Sequence, residues 1–156
     1  MSAASEQFST HSEPIWRERA DFIINAQLSE VGGFEQLWVR RVGEDQFEVC
    51  CIPYFLYNVA LGDTIETAPQ GGRQYVLSRV LNPSGRFVFR AYFERPHYRY
   101  RDATAVGVQR LGAQIEWSSP SLLAVDVDGP SAQRVADYLQ DQEDAGRLVY
   151  ETGKSA

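Results

Sequence analysis

Ile52-Pro53-Tyr54-Phe55-Leu56-Tyr57-Asn58-Val59-Ala60-Leu61-Gly62-Asp63-Thr64-Ile65 is the stretch on which the reading of the fold turns. Pro53 has no amide hydrogen, so a strand that reaches Ile52 must stop or leave its sheet there. Gly62-Asp63 suits the left-handed backbone of a tight reversal and hands the chain to a new strand. The aromatic and aliphatic side chains between these two signals contain no group able to do chemistry, so the block reads as scaffold.

Working outward from it, Asp21 to Gln27 and Glu35 to Val42 read as strands, with Leu37 and Val39 on one face and Trp38 and Arg40 on the other. Gly43-Glu44-Asp45 turns the chain, and Gln46 to Ile52 pairs back. Beyond the block, Asp63 to Ala68 and Arg73 to Leu81 form a hairpin across Pro69-Gln70-Gly71-Gly72. Residues 21–83 are therefore expected as an antiparallel curled sheet or partial barrel.

The pattern changes after Asn82-Pro83-Ser84-Gly85. A strand is expected over Arg86 to Phe93, where Phe87, Phe89 and Ala91 alternate with Val88, Arg90 and Tyr92. Ala105, Val108 and Leu111 share one side of a helix over Arg101 to Leu111, closed by Gly112. Gln114 to Trp117 and Leu122 to Val127 are strands. Gly129-Pro130-Ser131 opens a second helix with Ala132, Val135, Ala136 and Leu139 inward, Gly146 ends it, and Arg147 to Glu151 is the last strand. That order predicts a ferredoxin-like βαββαβ half over residues 84–151. The class is α+β, with a flexible N-terminal tail over 1–20 and a tail over 152–156.

At 156 residues and 44% hydrophobic content, the chain suits one domain or two small subdomains sharing a core. No apolar run approaches the roughly 18 residues of a membrane span. Met1 to Glu13 has neither a basic start nor an apolar stretch, which argues against a secretory signal. Cys50 and Cys51 are adjacent and would point to opposite faces of a strand, so they read as buried thiols in a reducing cytosol. The net charge of −6 is segregated: residues 1–72 carry eleven acids and four bases, residues 73–110 eight Arg and two acids, and residues 116–151 eight acids and two Arg. A basic band between two acidic regions disfavours free nucleic acid and favours a basic protein partner.

The placed motifs support a resemblance. Leu37-Trp38-Val39, Ile52-Pro53-Tyr54-Phe55, Ala60-Leu61-Gly62-Asp63, Ser84-Gly85-Arg86, Gly112 with Glu116-Trp117, Leu123 to Val127 and Gly146 to Glu151 make the chain similar to the bacterial domain-of-unknown-function family 4265, over about Glu35 to Glu151. These are strand and turn positions, so the resemblance implies a fold and carries over no catalytic residue or cofactor.

Candidate sites divide by chemistry. A Ser/His/acid set could be strung from Ser84, His97 and Asp102, but Ser84 lacks a nucleophile-elbow context, and His11 falls in the expected tail. Asp126 and Asp128 could face a hard cation, although a turn with a helix-capping acid explains them better. Arg86, Arg90, Tyr92 and Arg99 belong to an Arg-aromatic stretch (86–101) of the kind that grips single-stranded RNA or nucleotides. In a ferredoxin-like fold that signature belongs on the third strand, and here it falls on the first. On the second helix Asp137, Asp141 and Asp144 share one face beside Gln140, against the sense of the helix dipole. With Tyr54 and Tyr57 as aromatic anchors, this acidic face suits a basic protein partner.

The expectation is a non-catalytic, cytoplasmic, acidic protein-binding protein, in its most specific form an immunity protein that occludes a cognate basic toxin domain. No metal or other cofactor is expected. RNA or nucleotide binding through the Arg-aromatic stretch is the alternative.

Overall fold

A computed structural model describes residues 7–29 and 32–155. Residues 1–6 of the expected N-terminal tail and residue 156 of the C-terminal one lie outside the described residues. The architecture is mixed α+β, with a curled six-stranded sheet followed by a separate four-stranded antiparallel sheet.

The first sheet contains β1 (Phe8–Ser9), β2 (Phe22–Gln27), β3 (Phe34–Arg41), β4 (Gln46–Val49), β5 (Thr64–Gln70) and β6 (Arg73–Asn82). From β2 to β6 each strand runs antiparallel to the one before. The first and fifth strands of such a series point the same way, and β2 meets β6 in a parallel pair at Asn25 and Val76. The pairings thus close on themselves. They enclose Ile24, Ala26, Leu37, Val39, Phe47, Val49, Cys51, Val59 and Ile65. Both cysteines are free and buried.

The second sheet has β7 (Phe87–Tyr92), β8 (Gln114–Ser119), β9 (Leu122–Val127) and β10 (Val149–Lys154), in the spatial order β10-β7-β9-β8. Helices α1 (Arg101–Arg110) and α2 (Gly129–Asp144) cover one face, burying Phe89, Ala91, Leu123, Val125 and Val127 against Ala105, Val108, Val135 and Leu139. Gly107 in α1 provides room for this contact, since a Cβ there would stand 2.1 Å from the Tyr138 hydroxyl of α2. Asp128 caps α2, its Oδ1 accepting the Ser131 amide at 2.9 Å. None of the helices among the described residues is long and apolar enough to cross a membrane.

The other face of this sheet is covered by the block that follows Pro53. Ile52, Tyr54 and Ala60 pack on Val88 and Ala124. Gly62, at φ +83°, makes the expected reversal. Asp63 then anchors it, accepting from the Ala60 and Ser84 amides and from Lys154 Nζ.

Two expected tails are structured where described. Within residues 7–20, β1 pairs with β3, Trp16 donates its amide to the Cys50 carbonyl at 3.1 Å, and His11 is 3% exposed. At the other end β10 continues to Lys154, beside Val88. Polar composition suggested disorder for the N-terminal segment, but its described part buries a few decisive side chains instead of an apolar run. A 3-10 turn over Arg95–Tyr100, also unforeseen, joins β7 to α1.

Candidate functional site

The seam between the two sheets contains a buried polar cluster. A chain that leaves a sheet at a proline strands its next amides, and buried amides need acceptors. Two carboxylates meet that need. Glu35, on β3, accepts the amides of Tyr54, Phe55 and Leu56 at 2.7, 2.9 and 3.1 Å. Glu116, on β8, accepts those of Ile52 and Ile15 at 2.5 and 3.3 Å and the Tyr54 hydroxyl at 3.2 Å.

Two buried carboxylates require a counter-charge, and His11 supplies it. Its Nδ1 lies 2.8 Å from Glu116 Oε1 and its Nε2 2.8 Å from Glu35 Oε2. Both nitrogens donate only in the imidazolium form. Burial alone would lower the imidazole pKa, but Cys51 and the hydrogen bonds to Glu116 and Glu35 outweigh it and raise the group from 6.5 to about 12. The ring stacks on Tyr54 at 3.9 Å between centroids. Burial pushes the Tyr54 hydroxyl upward, so it stays protonated near neutral pH, and burial also raises the Cys51 thiol, opposed by His11. The cluster has a satisfied donor or acceptor at every carboxylate oxygen and serves as a strut.

Arg90 is the second buried charge of the seam, on β7 and 1% exposed. Its Nε donates to Glu151 at 3.0 Å and its Nη1 to the Pro53 and Leu56 carbonyls at 3.3 and 3.0 Å. The Tyr57 ring lies over the guanidinium at 4.7 Å, and the Tyr57 hydroxyl donates to Glu151 at 2.6 Å. Beside this group opens a cleft of about 830 Å³, lined chiefly by Leu28, Phe55, Tyr57, Asn58, Gly153 and Lys154.

The structure separates the residues singled out from sequence. Tyr54 is buried and cannot serve as a surface anchor, because its ring fills the seam and its hydroxyl completes the Glu116 shell. Tyr57 is 42% exposed and lines the cleft. Asp137, Asp141 and Asp144 do share the outer face of α2, where Gln133 and Gln140 donate to Asp137 and Asp144 at 2.9 Å. No cationic side chain pairs with the three among the described residues. Arg86 is held by buried Asp126, with Nη2 at 2.6 Å. Burial raises the Asp126 carboxyl, opposed by Arg86 and Gln114. With Arg86 paired and Arg90 inside, the Arg-aromatic stretch is not a continuous surface, and Tyr92 and Arg99 alone of the four are exposed. Ser84 donates its hydroxyl to the Leu61 carbonyl at 2.8 Å. Among the described residues no hydrogen bond joins any two of Ser84, His97 and Asp102, and none of the His, Cys, Asp and Glu side chains form a group of three or more that could hold a metal ion.

The comparisons with known proteins agree with this scaffold. A family model described as "Domain of unknown function (DUF4265)" matches residues 35–150. The chain belongs to this family. It is also similar to a solved structure described as a novel crystal structure of a hypothetical protein from Neisseria gonorrhoeae. That match has a TM-score of 0.68 at 16% identity and covers 84% of this chain and 92% of that one, a likeness of fold. No curated protein matches. In this DUF4265 protein several residues that carried the resemblance hold the seam: Ile52 and Tyr54 bind Glu116 and Glu35, and Asp63 binds Ser84, while Arg86 binds Asp126 within the second sheet.

His11, Glu35 and Glu116 were missed as a unit. One signal was available: Glu35 is in phase with Leu37 and Val39, which places a carboxylate on the buried face of β3.

Proposed function

We propose that this protein is a non-catalytic binding protein that captures a basic protein partner, in its most specific form an immunity protein neutralising a cognate bacterial toxin domain by stoichiometric occlusion. The observation that carries the reading is the outer face of α2, where Asp137, Asp141 and Asp144 stand without a paired cation among the described residues, at a helix end whose last turn has no basic residue. Carboxylates there oppose the helix dipole, and a surface kept acidic against local stability suits steering of a cationic partner. Tyr57 provides an exposed aromatic anchor elsewhere on the surface. A cytoplasmic site of action is part of the proposal, supported by Cys50 and Cys51 being free thiols. We also read the C-terminal half as ferredoxin-like, supported by its spatial strand order β10-β7-β9-β8 and its strand-helix-strand-strand-helix-strand sequence.

The test is co-expression with a secreted toxin domain encoded beside this gene. The reading expects co-purification at one-to-one stoichiometry and rescue of growth, with association slowed about tenfold at low salt when the three aspartates become asparagine, as for loss of electrostatic steering. A protein that neither binds nor protects overturns it. The alternative, RNA or nucleotide binding through Arg86, Arg90, Tyr92 and Arg99, has less support, because two of the four side chains are turned into the molecule.

A further inference from the structure

The cover that the Pro53 block gives to the second sheet ends short of one strand terminus. The block packs on Val88 and takes the Arg90 guanidinium, but Tyr92, next on the same face of β7, is 47% exposed. Val149 of β10 stands opposite Tyr92 in the register and is 55% exposed. Single exposed apolar side chains are ordinary, whereas these two are cross-strand neighbours and line one pocket of about 230 Å³ together with Leu148. That volume lies below the roughly 300–1,000 Å³ of small-molecule sites and suits one long side chain. The charge of the lining decides which. Glu94 and Glu143 both line the pocket, and neither pairs with a cation among the described residues. Glu94 is the N-cap of the 3-10 turn, yet its side chain makes no capping hydrogen bond. Glu143 accepts from uncharged donors, the Tyr150 amide at 3.0 Å and Gln140 Nε2 at 3.5 Å. His97 is the other titratable side chain of the lining, so carboxylates outnumber it two to one. Gly146 sets the pocket at the C-terminal end of α2, where helix carbonyls favour a cation and the last turn has none. Arg147, just beyond, is turned elsewhere: it donates to Gln142 at 3.0 Å and lies over the Tyr100 ring.

We propose that this pocket seats an arginine side chain of a basic protein partner. The methylenes pack on Leu148 and Val149, the guanidinium stacks on the Tyr92 ring, and its N–H groups donate to Glu94 and Glu143. Arginine fits better than lysine, because a planar and weakly hydrated guanidinium can stack on an aromatic ring while it donates to carboxylates. The inference rests on the reading of α2 as the face that meets a basic partner, and it adds the anchor which that face lacks. Pocket and acidic face are contiguous, since Gln140 donates both to Glu143 and to Asp144. An arginine held in a partly apolar pocket, with steering charges around it, is how binding energy concentrates at protein interfaces.

The experiment is a titration of ¹⁵N-labelled protein with the tetrapeptide acetyl-Arg-Gly-Lys-Lys-amide and with analogues carrying citrulline or lysine in place of the arginine. The arginine peptide is expected to shift the amides of Tyr92, Glu94, Gly146 and Val149 saturably, with both analogues at least fivefold weaker. Glu94→Gln and Tyr92→Leu, each at an exposed position, are expected to weaken the arginine peptide at least threefold. In the triple variant Asp137→Asn, Asp141→Asn, Asp144→Asn the pocket shifts persist and the preference for arginine over citrulline is kept. Shifts confined to α2, or an analogue that binds as tightly as the arginine peptide, overturn the pocket and leave capture of a basic partner to the co-expression test. Arginine-selective binding in the pocket, with no protection on co-expression, upholds the pocket and overturns toxin neutralisation.

Discussion

His11 and Arg90 are both buried in the seam between the sheets, and they are finished differently. His11 meets two carboxylates that in turn meet five amides and a hydroxyl, so its neighbourhood has no unmet valence. Arg90 meets a carboxylate that is 48% exposed and two carbonyls, and keeps one nitrogen unpaired. The contrast shows that a buried charge is not by itself a functional signal. An imidazolium with every partner in place is structural cement, whereas the guanidinium is held by fewer partners and keeps one donor unpaired.

The contrast predicts unequal losses. His11→Ala strands two carboxylates in the seam and is expected to destabilise by about 3–5 kcal/mol in chemical denaturation, the usual size for an uncompensated buried charge. A loss under 1 kcal/mol would show that the cluster is not a strut. The same contact has a pH signature. Because folding raises the His11 pKa from 6.5 to about 12, its contribution is complete below pH 6.5 and declines progressively as the pH rises toward 12. The unfolding free energy of the native protein should therefore fall between pH 6.5 and 10, and the slope should flatten in His11→Gln. Arg90→Met leaves Glu151 half in water, so a smaller loss of about 2 kcal/mol is expected from the stranded carbonyls. If it equals the His11 loss, the two sites are equally structural. Asp128→Ala removes the α2 cap and is expected to lower stability by about 1 kcal/mol. Replacing Asp137, Asp141 and Asp144 with asparagine should leave the melting curve unchanged or raise stability by about 0.5 kcal/mol, since those charges oppose the helix dipole.

Local pattern made much of the scaffold legible. The alternation of Phe87, Phe89 and Ala91 against Val88, Arg90 and Tyr92 assigned both faces of β7, and Asp128-Gly129-Pro130 marked the start of α2. What escaped depended on neighbours distant in sequence. The interleaving of Arg and aromatic residues in β7 looked like an exposed platform, because nothing nearby announces that the Pro53 block covers that face. His11 sits in a polar segment with no periodicity, and its meaning comes from partners 24 and 105 residues away. Glu35 did carry a local sign, being in phase with two core residues, and a buried carboxylate predicted there would have led to a search for its cation.

The span between His11 and Glu116 also has a consequence in time. A contact joining the beginning of the chain to its last third closes one of the longest loops in the molecule. Closing that loop of 105 residues carries an entropic cost that disfavours the contact before the sheets have formed. Until Glu116 has left the ribosome, Glu35 can take the amides of Tyr54, Phe55 and Leu56, but the Ile52 amide and the Tyr54 hydroxyl lack their acceptor.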